Sequence, residues 1–189
     1  MEQIASYILA EKELVGKIEV VYYLSKRVDI FFDTTVIFKA EIAKMFMNEM
    51  NIKDIDTNLV LTAVLLYGCK KKDVPQNLDE IRAYPRESAE FLKSLGFSER
   101  FCKICRQHSR HEDLGPREKE SDILELVDQF GGMMMNRPER MGFKADEALC
   151  LLEYRNLKGK DNAYLELFKE FVERMEKVKV WVLVKKLKF

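Results

Sequence analysis

Asp56-Thr57-Asn58-Leu59-Val60-Leu61-Thr62-Ala63-Val64-Leu65-Leu66-Tyr67-Gly68-Cys69-Lys70-Lys71 is the stretch on which the reading of this chain turns. Leu59, Val60, Ala63, Val64 and Tyr67 recur at spacings of three and four, which places them on one face of a helix. Asp56 or Thr57 supplies an N-cap oxygen for the unpaired amides of its first turn. The apolar run from Leu59 to Tyr67 is interrupted by Thr62 and falls far short of the roughly 20 residues that a bilayer span needs. It reads as a core helix.

Working outward, the same periodicity predicts helices near 3–11, 14–31, 35–50, 77–83, 86–95, 98–110, 118–130, 144–155 and 161–176, with 57–71 as the helix just described. Asp161 is the expected cap of the one that carries Leu165, Phe168, Val172 and Met175. Loops are expected at 72–76, 113–117, 131–143 and 156–160. With 189 residues, 47% of them hydrophobic, the chain has the size and the apolar material of one domain. The expected fold is all-α, with residues 1–176 forming one helical domain.

Residues 177–189 break the pattern. Val178, Val180, Val182 and Val184 alternate with Lys177, Lys179, Trp181, Leu183 and Lys185, which is strand period. A short C-terminal β-strand needs a partner edge. That partner is either Lys17 to Tyr23 or the same segment of a second copy in a homodimer, and the alternative is a basic helical or unstructured tail.

The 32 basic residues balance the 32 acidic ones, so no overall field draws the chain to nucleic acid or to an anionic membrane. Mixed charges through the first thirty residues match neither a secretory signal nor a transit peptide, and the expected location is cytoplasmic. Four cysteines, at 69, 102, 105 and 150, show no disulfide framework. Cys102, Cys105, His108 and His111 superficially suggest zinc. On one helix, however, each step of three turns about 300°, so the first and last face opposite ways and cannot close on a tetrahedral ion. Gly-rich phosphate loops, nucleophile elbows and His-Glu-x-x-His motifs are absent from the sequence.

The order of several short segments carries a resemblance. Leu65-Leu66-Tyr67-Gly68-Cys69-Lys70-Lys71-Lys72-Asp73-Val74-Pro75 resembles the Leu-Leu-His-Asp-Ile-Gly-Lys segment, ending in Ile-Pro, of the HD-GYP branch of the HD phosphohydrolase superfamily. Tyr67 and Gly68 stand where that family has its His-Asp pair. Leu24-Ser25-Lys26-Arg27-Val28 resembles its His-Ser-x-Arg-Val opening, with Leu24 at the histidine. Tyr84-Pro85 resembles its His-Pro pair, with Tyr84 at another ligand histidine. From His108 to Pro116 the chain is similar to the His-His-Glu and Gly-Tyr-Pro region, keeping His108 but placing Ser109 and Arg110 at the second His and the Glu. Finally, Leu126 to Phe130 and Asn136-Arg137-Pro138-Glu139-Arg140 resemble the Ala-Asp-x-Phe-Asp and Asp-Arg-Pro-Tyr-Arg segments, with Asp128 on a ligand aspartate and Gly131 departing from the second Asp.

The resemblance spans roughly 24–155 and implies an orthogonally packed HD-type bundle. HD enzymes hold divalent metals that polarise a phosphoryl oxygen and generate hydroxide. Only His108 and Asp128 remain as residual metal ligands, so the site is expected to be without cofactor. Tyr67 and Tyr84 are expected to fill the cavity, their hydroxyls meeting His108 or Asp128. Lys71, Arg137 and Arg140 match cationic positions and, with Tyr67, Tyr84 and His108, make up a candidate ligand pocket for phosphate groups. Lys71 as a helix C-terminal charge and Arg137 as a partner of Asp128 are the structural alternatives. The implied function is a non-catalytic or weakly catalytic module of bacterial signalling, binding a protein partner or a phosphorylated cyclic nucleotide, and a further possibility is that the chain is one domain of a larger signalling protein. The alternative is an active phosphohydrolase or phosphodiesterase using Mn or Fe, with Glu112 or Asp113 as transplanted ligands.

Overall fold

The computed structural model describes residues 35–71, 77–109, 115–136, 140–156 and 162–178. Among them are seven helices and no strand: α1 (Thr35–Glu49), α2 (Thr57–Leu66), α3 (Leu78–Ser94), α4 (Glu99–Gln107), α5 (Lys119–Met134), α6 (Ala145–Asn156) and α7 (Leu165–Lys177). The all-α expectation holds. Residues 1–34, with two expected helices, and the expected strand at 178–184 beyond Val178 lie outside the described residues.

Local chemistry sets most helix ends. Asp56 accepts the Leu59 amide at 3.0 Å, Asn77 accepts that of Glu80 at 2.9 Å, and Ser98 accepts that of Phe101 at 3.2 Å. After α1 the chain turns through Asn51 at φ 51°, a left-handed position that asparagine tolerates, and the Ile52 amide reaches back to the Met47 carbonyl. Gly96, at φ 92°, does the same service after α3, where the Phe97 amide bonds the Leu92 carbonyl at 3.2 Å.

Several boundaries differ from the sequence reading: the helix expected at 57–71 ends at Leu66, and the one expected at 98–110 ends at Gln107. The two helices expected at 77–83 and 86–95 are one, α3, with Pro85 inside it. Proline gives up its own amide bond and crowds the carbonyl four residues back, and burial of Pro85, Ser88, Ala89 and Leu92 on one face offsets that cost. The expected loop at 131–143 is helical to Met134, and Met133 and Met134 are core residues. Their thioethers fill space here. Helix α7 begins at Leu165 with Tyr164 at its N-cap position and no side-chain cap, Asn162 accepting the Tyr164 amide; Asp161, the expected cap, lies outside the described residues.

Helix α5 is the axis of the bundle, packed against α1, α2, α4 and α6. Thirteen of its residues are buried, on all sides, including Glu120, Asp122 and Glu125. Phe46 of α1, Phe130 of α5 and Phe168 and Phe171 of α7 meet edge to face or tilted at 5.0–5.8 Å, closing the core across three helices. No helix among the described residues is long and apolar enough to cross a membrane.

Candidate functional site

Five side chains from five helices or helix ends converge beside α5. Asp128 projects from the third turn of α5, Tyr67 ends α2, Tyr84 lies on α3, His108 ends α4, and Lys39 comes from α1. The Tyr67 hydroxyl donates to Asp128 Oδ1 in a short hydrogen bond. Lys39 Nζ donates to that same carboxylate oxygen at 2.8 Å and to the Tyr67 oxygen at 2.9 Å. On the other side of Tyr67, the His108 ring packs edge-on at 4.7 Å between centroids. The Tyr84 hydroxyl lies 2.9 Å from His108 Nε2.

The tautomer of His108 follows from its partners. Nδ1 sits 2.6 Å from the Cys105 carbonyl oxygen, which can only accept, so Nδ1 carries the proton. Nε2 therefore offers its lone pair to the Tyr84 hydroxyl. Burial pushes the His108 pKa below its ordinary value and keeps the ring neutral, against the pull of Asp128. Burial also works against the charge on Asp128, but the Lys39 ammonium, aided by Lys71, holds this carboxyl well below the usual carboxylate range.

Lys39 is the residue that the motif comparison missed. Its side chain is only 2% exposed, the environment in which a lone ammonium is most costly. The signal was present, because Lys39 lies three residues after Val36 and three and four before Ile42 and Ala43, all of them buried. A cation at a core-facing position asks for a buried anion. Gly131 makes the room: a Cβ there would lie 2.7 Å from Lys39 Cγ. Gly68, by contrast, would bring a Cβ only into ordinary contact with Lys71, so sterics do not demand glycine at that position.

The other expected pocket residues divide. Lys71 stays at the cluster, its ammonium 6.0 Å from the centre of the Tyr84 ring. Arg140 is turned to the end of α5, where it bonds the carbonyls of Gly132 at 2.8 Å, Met133 at 3.0 Å and Met141 at 3.2 Å and lies over Phe143. Those bonds satisfy carbonyls that the helix end leaves open. Gly142 fits beneath, since a Cβ there would run into the Met134 carbonyl oxygen. Arg137, His111, Glu112 and Asp113 lie outside the described residues.

As a metal centre, the donor set among the described residues does not fit. The Nε2 lone pair of His108 is engaged by Tyr84, and Oδ1 of Asp128 already takes an ammonium and a phenol. No group of three His, Cys, Asp or Glu side chains suited to a metal occurs among the described residues. The cysteines of the superficial zinc pattern are packing groups, with burial pushing the Cys102 thiol up to about 11 and Cys105 well above the ordinary thiol value.

Compared with known proteins, the chain matches no family model, no curated protein and no solved structure.

Proposed function

We propose that this chain is a metal-independent regulatory or binding module of HD-like design, in which the Lys39 ammonium takes the place that a divalent metal has in an HD hydrolase. The observation that carries the reading is the position of Lys39 Nζ, within 2.9 Å of both the Tyr67 hydroxyl and Asp128. A fixed ammonium neutralises the carboxylate and holds the helix ends together, yet it has no open coordination position at which to polarise a phosphoryl group or activate water. Tyr67 in place of a histidine, glycine at 131 in place of an aspartate, and lysine at 39 form one mutually dependent set.

Asp128 Oδ2 has no partner among the described residues, and the side chain is 21% exposed. With Lys71 beside it, the mouth of the cluster presents one acceptor and one cation. A phosphorylated signalling nucleotide would be held there by Lys71 through charge and hydrogen bonds, without turnover. The test is incubation of the full chain with a cyclic dinucleotide and with mononucleotides, in Mn2+ and in chelator. No hydrolysis in either condition, with binding weakened by Lys71→Glu, is the expected result. Metal-dependent hydrolysis would return the chain to the active phosphohydrolases, and binding untouched by Lys71→Glu would leave a protein partner as the ligand.

A further inference from the structure

Helix α5 is sealed over almost its whole length: from Glu120 to Met134 every residue is buried except the consecutive pair Asp128 and Gln129. The two stand about 100° apart around the helix, and they are its one opening to solvent within that stretch. Each brings an oxygen that lacks a donor. Asp128 Oδ2 has no partner among the described residues, and neither has Gln129 Oε1, which is enclosed although its residue is partly exposed. The orientation of the Gln129 carboxamide follows from its neighbour. The Glu125 carboxylate accepts, so the nitrogen of Gln129 faces Glu125 Oε1, at 3.3 Å, and the amide oxygen is left over. A buried acceptor without a donor is costly, and folded chains keep few of them.

Resting on the reading of the mouth as a nucleotide site, we propose that Asp128 and Gln129 recognise the vicinal hydroxyls of a ribose ring whose phosphate lies on Lys71. Two acceptors on consecutive residues call for two donors on neighbouring atoms of the ligand. A diol offers one on each carbon, each free to rotate its proton into line. Charge selects neutral donors: Lys39 already neutralises Asp128 at 2.8 Å, and Lys71 acts on the same carboxylate, so an ammonium in the ligand would be repelled by both. Carboxylates serve as acceptors for ribose hydroxyls in dinucleotide-binding folds as well. The carboxamide of Gln129 turns outward at little cost, because its bond to Glu125 is long and Glu125 keeps Arg117 and Asn162 as donors.

The experiment is isothermal titration of the full chain with adenosine monophosphate and with its dideoxy counterpart, which lacks both ribose hydroxyls. The dideoxy form should bind at least about tenfold more weakly, because it leaves both acceptors without donors. Gln129→Leu should bring adenosine monophosphate down towards the dideoxy form and leave the affinity of the dideoxy form as it was, while circular dichroism shows the helices intact. Lys39, Tyr67 and Asp128 keep their mutual bonds in that variant. Lys71→Glu should weaken both nucleotides by the same factor. Equal affinities for the two in the wild type, both weakened by Lys71→Glu, would overturn the diol contact and leave the nucleotide reading standing. A preference for the diol that persists undiminished in Gln129→Leu would overturn the paired site by assigning the hydroxyls elsewhere. Binding of neither nucleotide would overturn the diol contact and the nucleotide reading together.

Discussion

Asp122 and Asp128 lie on the same helix, less than two turns apart, and the charge clusters built around them differ in how completely they are closed. Around Asp122, Arg117 bonds both Asp122 and Glu125 as well as the carbonyls of Gln107 and Ser121. Asn162 adds bonds to the Asp122 carbonyl at 2.9 Å and to Glu125 at 3.1 Å, and the Ala163 amide takes Asp122 Oδ2 at 3.1 Å. Every carboxylate there has at least two donors, and the network ties the starts of α5 and α7 together. Around Asp128 a single ammonium and a single phenol share one oxygen, and the second has no partner among the described residues. A saturated network has a structural job and nothing left to offer a ligand. The half-open one leaves an acceptor without a partner, which is what the proposed function requires of it.

Removing Lys39 should have the largest effect. Lys39→Met leaves Asp128 buried against Tyr67 without its counter-charge and should cost about 3–5 kcal/mol in denaturant unfolding, as broken buried pairs do. Adding Asp128→Leu should recover much of that loss, because an apolar pair of similar volume avoids both desolvation penalties. A loss under about 1 kcal/mol for Lys39→Met would mean that the ammonium is solvated and the cluster is not what holds it.

Arg117→Met should cost less, about 1–3 kcal/mol, although Arg117 makes more bonds than Lys39. Its two carboxylate partners keep Asn162 and the Ala163 amide as donors. If Arg117→Met proved the more damaging of the two, the contrast between closed and half-open clusters would be reversed.

Gly131→Ala sharpens the same contrast by a change of sign. With Lys39 present, the added methyl overlaps its stem, and overpacking of about 1–3 kcal/mol exceeds the roughly 1 kcal/mol that alanine gains over glycine in a helix. In a Lys39→Ala background the overlap disappears, and Gly131→Ala should stabilise. Equal effects in the two backgrounds would show that position 131 does not make room for the lysine.

The smallest expected effect is on pH dependence. Because burial lowers the pKa of His108 in the folded chain, the unfolded chain binds more protons once the pH drops below the ordinary histidine value of about 6.5. This contribution to stability is complete above that pH and is lost as the pH falls towards the folded value. Asp128, also lowered, adds a second loss below about pH 4, where an unfolded aspartate protonates. Unfolding midpoints between pH 7 and 5.5 should fall in the wild type and stay flatter in His108→Asn. Parallel slopes would contradict a buried neutral imidazole.

How much of this was legible in the sequence depends on what kind of signal each part gave. Periodicity located α1 and α6 almost to the residue, and the start of α2, since their buried faces recur every three or four positions, but it ran α2 on to 71 where the helix ends at Leu66. It split α3 at Pro85 and ended α5 at Phe130, because proline and a Gly-Gly pair are read as breaks, whereas here burial on both sides of each carries the helix through. Among site residues, the meeting of Tyr67 with Asp128 and of Tyr84 with His108 was expected from the order of the segments. Lys39 was not, because a motif reading asks which ligands are missing and does not ask which new side chain supplies their charge. Arg140 matched a phosphate-binding position in sequence but spends its donors on the end of α5, a three-dimensional outcome that spacing does not encode.

The central claim is that Lys39, and not a metal, supplies the positive charge at Asp128, and equilibrium dialysis of the full chain against Mn2+ or Fe2+ followed by elemental analysis tests it most directly. The account predicts substoichiometric metal, at the same level in wild type and in Asp128→Ala. Stoichiometric metal in the wild type that is lost in Asp128→Ala would contradict it.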